Sequence, residues 1–152
     1  MAYGLIGDAA IDRANYRGPN QGWTWIAKTT PAASRGILKK TSVYINQAGN
    51  LKIKVFRDDG TNYVYIGESP TYNCSVGLNE LDCWIPVEKG DFIGFYIPNP
   101  GAAVDCGTVG EGGTSSVYQA GDITTTTLKT AWTTSNSYMS VQGKVFARVA
   151  PF

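Results

Sequence analysis

Acid–base chemistry in this chain would have to rest on carboxylates. Histidine is absent from its 152 residues, and with it go the commonest general base, the usual nucleophilic triads and most zinc or iron sites. The twelve carboxylates are Asp8, Asp12, Asp58, Asp59, Glu68, Glu80, Asp82, Glu88, Asp91, Asp105, Glu111 and Asp122. Most stand beside Gly or Asn in segments that read as turns, which Asp favours because its short side chain bonds to nearby backbone. Glycoside hydrolysis would need two carboxyls, one protonated and one ionised, flanking a cleft, and nothing in the spacing singles out such a pair. Catalytic residues are therefore not assigned.

Metal chemistry has one oxygen-rich candidate, Asp58-Asp59-Gly60-Thr61-Asn62. It lacks the distal Glu and alternating acidic spacing of a calcium loop, so Asp58 and Asp59 read first as hairpin-turn residues. Lys89-Gly90-Asp91 likewise reads as a turn, and no cofactor is implied. The three cysteines, Cys74, Cys83 and Cys106, have no CxxC spacing and no histidine partners for zinc. They read as buried reduced thiols, with a Cys74 to Cys83 or Cys83 to Cys106 bridge open if the protein works outside a cell.

Aromatic rings are the remaining chemical resource, with four tryptophans and nine tyrosines. A ring flanked by Asn, Gln or Asp can stack on the apolar face of a sugar while the polar groups meet its rim. Tyr16, Trp23 and Trp132 lie in polar, loop-like surroundings and are the sugar-platform candidates. Trp84, between Cys83 and Ile85, is placed in the gap between sheets or on an interface.

The elements that must position these residues are strands. Leu51 to Arg57 and Tyr63 to Ile66 alternate apolar and polar side chains on either side of Asp58-Asp59-Gly60, the signature of a β-hairpin. Met139, Val141, Val145, Ala147 and Val149 share one face of a final strand, Tyr138 to Val149. Further strands are expected at Trp23 to Lys28, Ile37 to Ile45, Tyr72 to Val76, around Cys83 to Val87, and centrally at Phe92 to Ile97. Pro86 implies an edge strand or a bulge. The threonine-rich run from Ile123 to Thr134 reads as an exposed strand, and Gly107 to Gly113 as a surface loop. No helical period appears. Eight or so strands at spacings of roughly 8–12 residues predict an all-β fold, an antiparallel β-sandwich of jelly-roll or Greek-key topology. Residues 1–22 read as an N-terminal arm or a first short strand near Ala9 to Ile11, and residues 23–152 as one sandwich domain.

Composition bounds the partners. Charged residues are 16%, below the roughly 25% of average globular chains, so the surface is finished with hydroxyls, amides and aromatics suited to contact with other surfaces. Net charge is +1 with scattered cations, which gives no support to nucleic-acid capture. No run of about 18 apolar residues suggests membrane insertion. The start, Met1 to Asp8, lacks the basic and apolar segments of a secretory signal.

The segments Gly7 to Ala14, Gly36 to Ile45, Leu51 to Phe56 and Val87-Glu88-Lys89-Gly90-Asp91-Phe92-Ile93-Gly94-Phe95-Tyr96 together resemble single β-sandwich modules encoded by bacteriophages and prophages. That resemblance implies a non-enzymatic virion structural protein, a capsid decoration or tail or fibre component assembled in the host cytoplasm. Its implied partners are capsid or tail proteins and copies of itself, as a homo-oligomer such as a trimer. A carbohydrate-binding adhesion module is the alternative and a small glycan hydrolase the third reading.

Overall fold

The computed structural model of the protein describes residues 3–13, 15–16, 22–108 and 115–147. In chain order its strands are β1 (Tyr3–Gly7), β2 (Asn15–Tyr16), β3 (Trp23–Ala27), β4 (Gly36–Gln47), β5 (Gly49–Asp58), β6 (Asn62–Glu68), β7 (Tyr72–Cys74) and β8 (Gly77–Val87). They continue as β9 (Phe92–Ile97), β10 (Ala103–Thr108), β11 (Ser116–Ala120), β12 (Thr127–Leu128), β13 (Thr133–Ser135), β14 (Ser137–Met139) and β15 (Val141–Phe146). Helical structure among the described residues is one 3-10 turn, Lys129–Ala131.

Two antiparallel sheets pack face to face, so the molecule is an all-β sandwich. The first runs β1-β15-β4-β10-β14, with β8 on β4 and β2 on β10; the second runs β12-β6-β5-β9-β3-β11-β13, with β7 on β5. Strands distant in sequence lie side by side, as in β15 on β4 or β3 on β11, the crossovers of jelly-roll and Greek-key wiring. Between the sheets the alternating inward residues interleave: Leu38, Val43 and Ile45 of β4, Leu81, Cys83 and Ile85 of β8, and Val141 and Val145 of β15 meet Trp25, Ile53, Val55, Ile93 and Phe95. Phe92–Ile97 is central, flanked by β5 and β3. Gly94 is required there, because a Cβ would run into the Trp25 backbone.

A second, smaller cluster of Ile26, Phe56, Tyr63, Val117 and Trp132 lies on the outer side of the second sheet. Residues 121–132 cover it. This is where the expected threonine-rich strand fails: only Thr127–Leu128 and Thr133–Ser135 pair, and the rest is a strap. Its ties explain the departure from β-propensity. Thr24 Oγ1 donates to the Gly121 carbonyl and accepts from the Ile123 amide, Lys54 holds the Ile123 carbonyl, and Trp132 is buried.

Other boundaries also differ from the pattern reading. The first strand is Tyr3–Gly7 rather than Ala9 to Ile11, because Ile6 enters the core and β1 pairs along β15. Residues 9–13 are then fastened by Arg13, which donates from Nε to Ser140 Oγ (2.7 Å) and from Nη2 to the Ala9 carbonyl. These bonds and that from Ser140 to Ile11 tie residues 9–13 to the first sheet. The expected last strand is broken at Ser140, whose amide donates to the Asp105 carbonyl and whose hydroxyl donates to the Ile11 carbonyl. Gly77 to Leu81 is strand rather than loop, and the strand at Tyr72 stops at Cys74. Residues 109–114 of the glycine-rich stretch and residues 148–152, including Val149, lie outside the described residues.

Candidate functional site

The sequence candidates are separated by the fold. Trp132 is corrected: at 6% exposure it offers no free face, since its ring meets Phe56 and Tyr63 edge-on at 5.5 and 5.6 Å and its Nε1 donates to Thr127 Oγ1. Trp23 is 36% exposed, but Tyr118 stacks on one of its faces at 5.0 Å with 14° between the planes. Tyr16 is placed by its backbone in β2 opposite Asp105; its side chain lies outside the described residues. Trp23 and Trp132 form no common platform.

Asp58 and Asp59 build the hairpin turn. Asp58 accepts from the Gly60 amide and pairs with Lys129 at 2.8 Å, while Asp59 accepts from the amides of Thr61 and Asn62. Gly60 takes φ +98°, as such a turn requires. Among the described residues no group of three or more Cys, Asp or Glu side chains could hold a metal ion. Asp91 is buried in a two-point pair with Arg57 and also accepts the Glu88 amide, so Lys89-Gly90-Asp91 is a structural turn. All three cysteines are buried and none of them forms a disulfide among the described residues. Burial pushes the thiols of Cys74 and Cys83 up to about 11, which leaves them protonated and unreactive at neutral pH.

The carboxylates that do converge are Glu68 and Asp122, at the strap. Lys54, 0% exposed, pairs with both at 2.8 and 2.6 Å, and Lys52 pairs with both at 2.9 and 2.6 Å. Burial pushes these carboxyls upward, but hydrogen bonds from Lys52 and Lys54 outweigh it and hold both below the ordinary carboxylate range. Both are therefore ionised at neutral pH and neither is a proton donor. Tyr65, beside them, is pushed up to about 12 by burial and by the Glu68 charge.

The constellation that sequence reading missed stands on the outer face of the first sheet. In the β4–β8 ladder Leu38 faces Ile85 and Lys40 faces Asp82, so Cys83 and Trp84 together stand opposite Lys39. The β4–β15 ladder shifts at the same place. This bulge puts Cys83 into the core, against Thr41 Oγ1 at 3.3 Å, and turns Trp84 outward at φ +62° and 66% exposure. A left-handed backbone at a bulky residue costs about 1–2 kcal/mol, and such strain gathers at sites that do something.

Around Trp84 the register lines up an apolar row across four adjacent strands: Tyr3, Phe146, Ile37 and Pro86. Four strands span roughly 14 Å. Tyr3 and Phe146 rings lie 5.5 Å apart, and exposed Leu5 is in the next row opposite Lys144. Two cations lie on these rings. Lys39 Nζ is 5.0 Å from the Trp84 ring centre and 5.3 Å from that of Phe146, and Lys144 Nζ is 4.9 Å from that of Tyr3. Among the described residues neither is paired with a carboxylate, whereas neighbouring Lys40 pairs with Asp82 at 2.6 Å. The signal was present in the sequence: once Cys83, Ile85 and Val87 point inward, Trp84 and Pro86 must point outward.

A depression of about 280 Å³ lies where β4 turns into β5 and is lined by Gln47, Asn50, Asn73 and the backbone around Gly49 and Pro100. Asn50 and Asn73 face each other across β5 and β7. No protein-family model matches this chain, and neither a curated protein nor a solved structure matches it.

Proposed function

We propose that this protein is a non-enzymatic structural module, a capsid decoration or tail or fibre component of a virion, working by protein–protein contact through the outer face of its first sheet. The observation that carries the contact surface is Trp84, two-thirds exposed on a strained backbone at the head of an apolar row four strands wide. Interface centres are enriched in such aromatic anchors ringed by polar groups. The best-placed pair of carboxylates is locked by lysines into holding the strap, which leaves surface contact as the better account. The virion assignment rests on the sequence resemblance. Mass spectrometry of purified particles released by cells carrying this gene tests it: the chain should be present at a copy number comparable to known particle proteins, and its absence from washed particles overturns the assignment.

The amide-lined depression favours a second reading, carbohydrate binding in adhesion. Each side-chain amide offers a donor and an acceptor, matching paired hydroxyls, and no charged group among the described residues lines the cleft. Titration with neutral oligosaccharides should give binding that Asn50→Ala and Asn73→Ala abolish. No binding by the unaltered chain removes this reading.

A further inference from the structure

We infer that the partner of the Trp84 face is an acidic protein surface, one that sets carboxylates around an apolar anchor; this deepens the contact role proposed above and rests on it. The cations decide the sign. Lys39 and Lys144 lie on ring faces with no carboxylate paired to them among the described residues, so no neighbouring anion offsets either ammonium while its stem covers apolar surface. An arriving carboxylate gains a cation that need not first leave an internal partner, and swinging the ammonium groups aside uncovers the rings for the anchor.

A second copy of this chain is the poorer occupant. A two-fold contact presents the same patch from both sides, so Lys39, Lys40 and Lys144 would face one another, and Asp82 is already engaged by Lys40. A sugar chain is poorer too. The row Tyr3, Phe146, Ile37 and Pro86 carries no side-chain amide or carboxylate to meet hydroxyls, and it is wider than one ring.

The test titrates the full chain, followed by amide chemical shifts, with a random Glu–Tyr copolymer, a Lys–Tyr copolymer and polygalacturonate. The Glu–Tyr polymer should shift residues 3, 5, 39, 84, 144 and 146, with affinity falling as salt rises. Lys39→Gln with Lys144→Gln, which keeps the stems, should weaken binding at least tenfold, while Lys28→Gln, over the Tyr63 ring on the second sheet, should not. Equal binding of the Lys–Tyr polymer, an unchanged affinity in the double variant, or tighter binding of polygalacturonate overturns the inference. So does a native mass that shows dimers through this face, lost in the double variant. Absence of the chain from particles, with the Glu–Tyr result intact, would instead remove only the virion role.

Discussion

At the scale of single residues, Trp84 combines two costs that a purely structural position would have no reason to carry: a left-handed backbone and a large ring in water. Asn tolerates that backbone region far better than Trp. Trp84→Asn should therefore relieve about 1–2 kcal/mol of strain while losing about 0.5–1 kcal/mol of contact with Lys39. The expected net change in unfolding free energy is within about 1 kcal/mol and in the stabilising direction, read from urea midpoints. A loss above roughly 2 kcal/mol would make the ring a structural element. Sequence periodicity placed Trp84 beside the core strands but could not reveal its backbone conformation, because the bulge depends on how β8 registers against β4 and β15.

At the scale of elements, the hairpin β5–β6 was legible because both of its strands alternate and Asp58-Asp59-Gly60 supplies its own backbone bonds. The strap over the second sheet was not, since what fixes residues 121–123 is Thr24 and Lys54, side chains 97 and 69 residues earlier in the chain. Lys54→Ala should release it. Two carboxylates would be left with Lys52 alone, and removing one partner of a buried pair costs roughly 3–5 kcal/mol; with Glu68 and Asp122 partly exposed, the lower part of that range applies. Hydrogen exchange at the Ile123 amide should be faster in Lys54→Ala than in the unaltered chain, and equal rates in the two would show that the strap does not depend on this pin. Element edges are guarded as well. Among the described residues β8 pairs only with β4, and its outward Glu80, Asp82 and Pro86, with the bulge, discourage a further strand from adding there.

At the scale of the whole molecule, two sets of carboxyls oppose each other. Burial pushes Asp8 upward despite the Thr29 hydrogen bond, and pushes Asp105 upward with Asp12 adding to it. Asp58 is held down by Lys129, and Glu68 and Asp122 by Lys52 and Lys54. A raised carboxyl penalises the fold at neutral pH, and the penalty lifts as pH falls through its folded value. A lowered one stabilises the fold above its ordinary value of about 4, and that contribution is lost on going further down. Stability should thus rise from neutral into mildly acidic pH and then fall. Asp105→Asn should raise the neutral-pH urea midpoint and flatten the first rise; an unchanged profile would mean that Asp105 is no more costly folded than unfolded. Fold class was readable at this scale because alternation is a local property repeated along the chain. The contact face was not, because its row is assembled from residues 3, 37, 86 and 146, which share nothing until the sheet exists.

That row has a temporal consequence. Among the described residues Tyr3–Gly7 pairs with Val141–Phe146 alone, two segments separated by most of the intervening sequence. Loop closure over such a distance is slow, so the first sheet, with the surface it presents, is completed late in folding.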